Sequence, residues 1–297
     1  MSPKLVLGVN PIVGVDHFSS DRAREKLRSN NDTRAIEVIR EAISGGAKGF
    51  SFSPGSRMLG ILRKLRDEGE DSEIELFPVL PALEKYWPSF VSKGTYGLIS
   101  AILEDLSFTS KAVTLIRGGA AAMARDPMKA IALYTSVELA KIQNNAPKSW
   151  RIDTVFLGET FTDAILSLGA LDLIQAFMKS VERSRNIRCG LQTRNLPMLL
   201  QRSSDLENGH LPTIMAPLNR LGFQMTPDRK TCEDALEAHS QFKLSAISVL
   251  AAGQVSLQDA ATYIHKWRNR LESVVIGTSN PNHAKETFSY FNNCLSK

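Results

Sequence analysis

Chemistry near neutral pH needs a group that can hold and release a proton, and Asp16-His17 sets a carboxylate beside the side chain that ordinarily titrates there. Glu159 is a second candidate. It directly follows the apolar run Thr154–Gly158, where burial would raise its pKa and suit it to acid or base work. With Glu84 and Asp16 it could instead hold a divalent metal, and as plain structure it could pair with Arg57, Arg117 or Arg194. A third feature is the loop Gly277-Thr278-Ser279-Asn280-Pro281-Asn282-His283. A glycine-led turn that bears hydroxyls and runs into a helix offers N–H groups and a helix dipole to a phosphate, and Gly277 is expected in torsions that a Cβ would disfavour. The structural alternative is a tight turn capped by Ser279 or Asn280. Asn10, Ser53, Glu84, Arg194, Asn219 and Gln224 also follow short apolar runs, where polar groups would meet a substrate.

Other reactive residues fit known chemistries less well. His210, His239 and His265 fall in loops or on helix faces away from these segments, so a histidine-rich metal site is hard to assemble. Lys85 lies too far beyond its run for a Schiff-base lysine, and Ser51 and Ser53 lack a Gly-x-Ser-x-Gly elbow. The cysteines, Cys189, Cys232 and Cys294, are three and widely spaced, which disfavours a disulfide framework or structural zinc and fits a reducing cytoplasm.

The elements that would position these groups are legible as alternation. Eight short apolar runs read as strands: Leu5–Val9, Gly49–Ser53, Ile74–Leu80, Thr154–Gly158, Arg188–Thr193, Ile214–Pro217, Ala246–Ala251 and Val274–Gly277. Most are followed by a stretch with helical spacing, the signature of βα units around a parallel sheet. Asp32 can cap a helix with Ile36, Ile39 and Ile43 on one face, stopped by Gly45-Gly46. The last helix carries Ala284, Phe288 and Phe291. The expected fold is therefore α/β, a single (β/α)8 TIM barrel over residues 1–297, with loops after the strand C-termini forming one mouth. Residues 95–147 are assigned to a helical insertion, and Ala112–Ile116 is placed in that layer rather than in the barrel.

Composition agrees with a globular chain of 297 residues, 43% hydrophobic and 23% charged, which can bury a large core. The 36 Lys+Arg and 31 Asp+Glu give +5, spread along the chain, so neither nucleic acid nor membrane is expected as a partner. The apolar run at Leu5–Val9 is broken by Asn10, Pro11 and Asp16 before it reaches signal-peptide or membrane length.

The C-terminal part, about residues 185–292, resembles the aldo-keto reductases. Gly190-Leu-Gln-Thr-Arg-Asn195-Leu-Pro is similar to their strand that ends in a polar pair near the nicotinamide, which implies cofactor contacts at Thr193 and Asn195. Val274-Val-Ile-Gly277-Thr-Ser-Asn280-Pro-Asn-His283-Ala-Lys-Glu286 is similar to their final strand and the helix that holds the cofactor phosphate. The resemblance thus implies NADP or NAD bound by Gly277, Thr278, Ser279, Asn280 and His283. The family's catalytic Asp and Tyr follow the second strand, its Lys ends the third and its His the fourth. Here those strands end Phe50-Ser-Phe-Ser-Pro54, Phe77-Pro-Val-Leu-Pro81 and Leu157-Gly-Glu159, so none of the four is present.

Three functional readings follow. The first is a cytoplasmic enzyme acting on a small polar or phosphorylated metabolite, a nicotinamide-dependent oxidoreductase with Asp16, His17 and Glu159 as acid/base groups. The second is a lyase or isomerase in which Asp16, Glu84 and Glu159 hold a divalent metal. The third is a degenerate barrel that binds a ligand without catalysis.

Overall fold

The alternation resolves into a ring of parallel strands. A computed structural model describes residues 2–9, 12, 32–81, 127–184, 186–206 and 212–296. Its strands are β1 (Lys4–Gly8), β2 (Gly49–Phe52), β3 (Glu75–Leu80), β4 in two segments (Arg151–Ile152 and Thr154–Leu157), β5 (Arg188–Gln192), β6 (Thr213–Pro217), β7 (Leu244–Ile247) and β8 (Leu271–Gly277). Each pairs in parallel with its neighbour, and β8 pairs with β1 from Lys4↔Ser273 to Gly8↔Gly277, so the sheet closes on itself. This is the (β/α)8 barrel. Both segments of β4 lie along β3, with Asp153 between them.

The helices are α1 (Asp32–Ser44), α2 (Ser56–Asp67), α3 (Pro127–Asn145), α4 (Glu159–Leu168), α5 (Leu171–Glu182), α6 (Leu196–Arg202), α7 (Arg229–Ala238), α8 (Leu257–Lys266) and α9 (Pro281–Leu295). In α1, Ile36 and Ile39 are buried as their spacing requires, and Asp32 opens the helix with its carboxylate 2.6 Å from Lys64 Nζ. Gly46 then turns the chain at φ 108°. A Cβ at Gly45 would stand 2.8 Å from the Lys285 carbonyl, so a glycine is needed where α1 meets α9. Ala284, Phe288 and Phe291 of α9 are fully buried. The helix expected within 95–147 is seen as α3, packed on α2 and α5; Ala112–Ile116 lies outside the described residues.

One strand needs correction. The seventh was expected over Ala246–Ala251 but runs Leu244–Ile247, because Ser248 (φ 55°), Ala251 (φ 44°) and Ala252 (φ 55°) take left-handed torsions incompatible with extension. Val249 and Ala251 are nevertheless buried, so the apolar run continues into a buried turn and mimics a longer strand.

Inside the barrel Val6, Phe77, Phe156, Met215 and Val275 form one apolar layer. Gly49 and Gly190 make room for its rings, since a Cβ at either would collide with Phe77 or Phe156. Below this layer, at the strand N-termini, lies a charged floor. Glu75 receives Lys4 and Arg151, and Arg188 bridges Asp153 and Glu272. Burial alone would raise the Asp153 carboxyl, but hydrogen bonds from Arg188 and Thr154 and the charges of Arg188 and Lys4 outweigh it and hold the group below its usual range.

Candidate functional site

Above the apolar layer the chain changes character. Gly158 leaves β4 with its N–H on the Leu80 carbonyl (2.7 Å) and passes straight into α4, whose first residue is Glu159. Four residues on, Asp163 shares the same helix face. Both carboxylates are met from the end of β5. Gln192 Nε2 donates to Glu159 Oε2 (2.9 Å), and Arg194 Nη2 donates to Glu159 Oε1. The Thr193 hydroxyl donates to Asp163 Oδ1, and the Arg194 backbone N–H donates to Asp163 Oδ2 (3.0 Å). Strand alternation places Gln192 on the same inward face as Gly190, and hence at the mouth.

The turn that follows is fixed by its own side chains. Asn195 N–H donates to Thr193 Oγ1 (2.9 Å), and Asn195 Oδ1 caps α6 by accepting from Met198 N–H (3.1 Å). Thr193 is completely buried. Burial pushes the Asp163 carboxyl up, and the bonds from Thr193 and Arg194 only partly offset this, while the charge of Glu159 adds to it. Glu159 therefore has the plain pairing with Arg194 that was one of its expected alternatives. It remains open to the mouth, with its side chain 19% exposed.

The two loops after β6 and β7 are joined. Asn219, expected to meet substrate, is fully buried and turned to its own loop, with Oδ1 accepting from Phe223 N–H and Nδ2 donating to Phe223 O, both 2.8 Å. That role is structural. Gln224 sits at φ 61° and accepts the Ser248 hydroxyl (3.0 Å). Among the described residues five non-glycines have positive φ, and four of them, Gln224, Ser248, Ala251 and Ala252, are on these loops; such torsions persist where surrounding contacts enforce them, often at functional sites.

At the β8 end, Gly277 is extended strand paired with Gly8, so the expectation of Cβ-disfavoured torsions does not hold there. Asn280 Oδ1 accepts from Asn282 N–H (3.1 Å) and caps α9, as the turn alternative required. Thr278, Ser279 and Asn280 are half-buried, and His283 is exposed in the first helical turn. Ser53 is half-buried just after β2. Asn10, Asp16, His17, Glu84 and Arg117 lie outside the described residues, so of the group expected to share one cavity only Glu159 and Asn219 can be placed, both past strand C-termini.

Sequence reasoning passed over Asp163, whose only signal was helical spacing from Glu159; Gln192 was placed at the mouth within the run Gln192-Thr193-Arg194-Asn195 but given no role. His239 and His265 bond the backbone carbonyls of Ala235 and Cys294, away from the mouth. Among the described residues no group of three or more His, Cys, Asp or Glu is placed to hold a metal, and no helix is long and apolar enough to cross a membrane. A groove of about 510 Å3 lies between α7 and α8 on the outer wall, where Arg220 pairs with Asp259 (2.9 Å) and Tyr263 donates to Glu233.

No protein-family model matches the chain, and no curated protein matches it. Solved structures do. A Pseudomonas aeruginosa protein assigned to the aldo-keto reductases aligns with TM-score 0.59 at 13% identity, over 99% of this chain and 92% of its own. An aldo/keto reductase from Brucella melitensis aligns with TM-score 0.54 at 14% identity, over 98% and 89%. An aldo-keto reductase from Klebsiella pneumoniae, solved in complex with NADPH, aligns with TM-score 0.51 at 12% identity, over 98% and 90%. The chain has an aldo-keto reductase-like barrel, and at these identities the likeness concerns the fold.

Proposed function

We propose that the chain is an oxidoreductase that binds a nicotinamide dinucleotide, NADP(H) or NAD(H), and a small polar substrate in the barrel mouth. The observation that carries this reading is the Glu159–Gln192–Arg194 group, a partly exposed carboxylate held between two donors above a closed apolar layer. The shared fold includes a protein solved with NADPH, which supports the cofactor. The residues at the β8 end fit a phosphate: an exposed glycine and two half-buried hydroxyls precede a helix of 15 residues, and among the described hydrogen bonds none uses the N–H groups of Ser279 or His283.

When bound, the nicotinamide supplies or accepts a hydride. The chain's residues do the rest. In alcohol oxidation Glu159 takes the hydroxyl proton at a carboxylate oxygen, and in the reverse direction the protonated carboxyl returns it. Gln192 and Arg194 hold that carboxyl in place, and Asp163 acts through the Thr193–Arg194 backbone as a positioning residue.

Titration with NADPH and NADH, followed by nicotinamide fluorescence and thermal unfolding, tests the cofactor. A ligand at a hundredfold excess over its Kd stabilises the fold by about 2.7 kcal/mol. A screen of carbonyl compounds by NADPH oxidation then tests turnover, and Glu159→Gln should keep nucleotide binding while losing roughly 10²- to 10⁴-fold in rate. If neither nucleotide moves the midpoint, the oxidoreductase reading fails; binding without turnover favours the ligand-binding barrel.

A further inference from the structure

Two arginines stand at opposite ends of the same strand, and their terminal nitrogens are used differently. At the floor Arg188 places Nη2 on Asp153 and Nη1 on Glu272, so both meet a carboxylate. At the mouth Arg194 places Nη2 on Glu159, while Nη1 meets no acceptor among the described hydrogen bonds and Nε is buried without a partner. A guanidinium is a planar fork whose preferred partners are carboxylates and phosphates, and one fork can serve two of them, as Arg188 does.

The position of Arg194 does not depend on a second acid. Its N–H is held by Asp163, its carbonyl accepts from Thr226 N–H (2.9 Å), and Asn195 beside it caps α6. The side chain is 41% exposed overall, while its Nε is buried. A buried donor is normally satisfied, so the unpartnered Nε, with no acceptor on Nη1 among the described hydrogen bonds either, marks this fixed guanidinium as lacking a partner.

We propose that the missing partner is the substrate's carboxylate: the mouth takes a small hydroxy or oxo acid, with its carboxylate on Nη1 of Arg194 and its hydroxyl or carbonyl end toward Glu159 and Gln192. This rests on the mouth being the reaction site, since an oxidoreductase needs a carbinol or carbonyl carbon beside the proton-exchanging group. It makes Arg194 the specificity-determining residue. An uncharged amide of the same shape leaves the fork unfilled.

The test uses lactate, pyruvate, malate and 2-oxoglutarate, with lactamide and pyruvamide as uncharged counterparts, at constant ionic strength. Binding is read by thermal unfolding and calorimetry, with and without NADPH. At least one acid should stabilise the wild type where its amide does not. Arg194→Met should weaken that acid at least tenfold, Arg194→Lys should weaken it less, and Arg202→Met, which removes a surface cation from α6, should leave it unchanged. If no acid binds, or if Arg194→Met and Arg194→Lys bind it as well as wild type, the anchor is wrong. NADPH binding is scored separately by fluorescence. NADPH bound with no acid effect overturns the substrate class and leaves the oxidoreductase reading standing; acid bound without NADPH does the reverse. Loss of NADPH alone in Arg194→Met assigns the fork to the dinucleotide and also overturns the proposal.

Discussion

The floor of the barrel and its mouth are built from the same side-chain types, yet one is closed and the other open. At the floor, six charged groups from β1, β3, β4, β5 and β8 neutralise one another, Ser273 donates to Ser245 (2.9 Å), and the Asp153 carboxyl is held low. At the mouth, the Arg194 guanidinium meets Glu159 alone among the described residues while Asp163 takes the Arg194 backbone N–H, the Asp163 carboxyl is held high, and the nearby loops carry left-handed residues. Matched charges at the floor tie five strands together, whereas at the mouth Arg194 uses only Nη2 among the described hydrogen bonds and leaves Nε buried without a partner. This division agrees with the tendency of such barrels to put stability at the strand N-termini and chemistry at the C-termini.

The apolar layer separates the two ends, and breaking it should have the largest effect. Phe156→Ala is expected to cost about 3–5 kcal/mol in urea unfolding, because Phe156 is fully buried against the glycine that makes room for it. Adding Gly190→Val to that variant should recover part of the loss by filling the vacated space. A loss below about 1 kcal/mol would mean that the layer does not divide the barrel as described.

Next in size is a test of the floor against the mouth. Arg188→Met strands two carboxylates and should cost about 2 kcal/mol, less than full burial would give because the arginine is 45% exposed. It should leave nucleotide and acid binding unchanged. Arg194→Met strands one carboxylate, Glu159, and should cost half as much, roughly 1 kcal/mol, while weakening acid binding at least tenfold. The reverse pattern would exchange the roles of the two ends.

How far this division was visible beforehand differs along the chain. All eight strands were legible because parallel strands buried on both faces read as apolar runs. The seventh was overextended because Val249 and Ala251 are buried in a turn, and burial is what an apolar run reports. Glu159 was singled out because it directly follows a strand, and its pairing with Arg194, which the structure shows, was among the alternatives. Thr193 and Asn195 were read as cofactor contacts, whereas their hydroxyl and carboxamide are engaged in holding the turn. The Asn195 cap is a local bond three residues long, but the Thr193 bond depends on Asp163, a residue from another βα unit, and no local pattern encodes that meeting. The floor was invisible for the same reason: Arg188 and Glu272 lie far apart in sequence and meet only once the ring closes.

The two aspartates sharpen the comparison through pH. Asp153 lies below its ordinary 3.8, so its contribution is complete above 3.8 and is lost as the pH falls through the lower folded-state value. Asp163 lies above 3.8, so the folded protein binds that proton more tightly than the unfolded chain, and stability falls as the pH rises from 3.8 through the raised value. Asp163→Asn should remove that fall, and Asp153→Asn should remove the loss below 3.8, both read from urea midpoints across acid pH. Matching profiles for the two variants would show that the ends do not differ electrostatically.

The smallest expected effect separates turn from ligand site at the β8 end. Asn280 caps α9 through its side-chain oxygen, so Asn280→Ala should cost about 1 kcal/mol. Aspartate caps as well as asparagine, and Asn280→Asp should therefore unfold within a few tenths of a kcal/mol of the wild type. It also puts a negative charge at the helix end where the dinucleotide phosphate is proposed, so NADPH binding should weaken several-fold, and more so at low salt than at high salt. A neutral carboxamide at position 280, restored by Asn280→Gln, should relieve the repulsion even if it caps less well. If Asn280→Asp binds NADPH as tightly as wild type at low salt, the phosphate does not lie at the start of α9. The loop would then be only the capped turn that its hydrogen bonds describe.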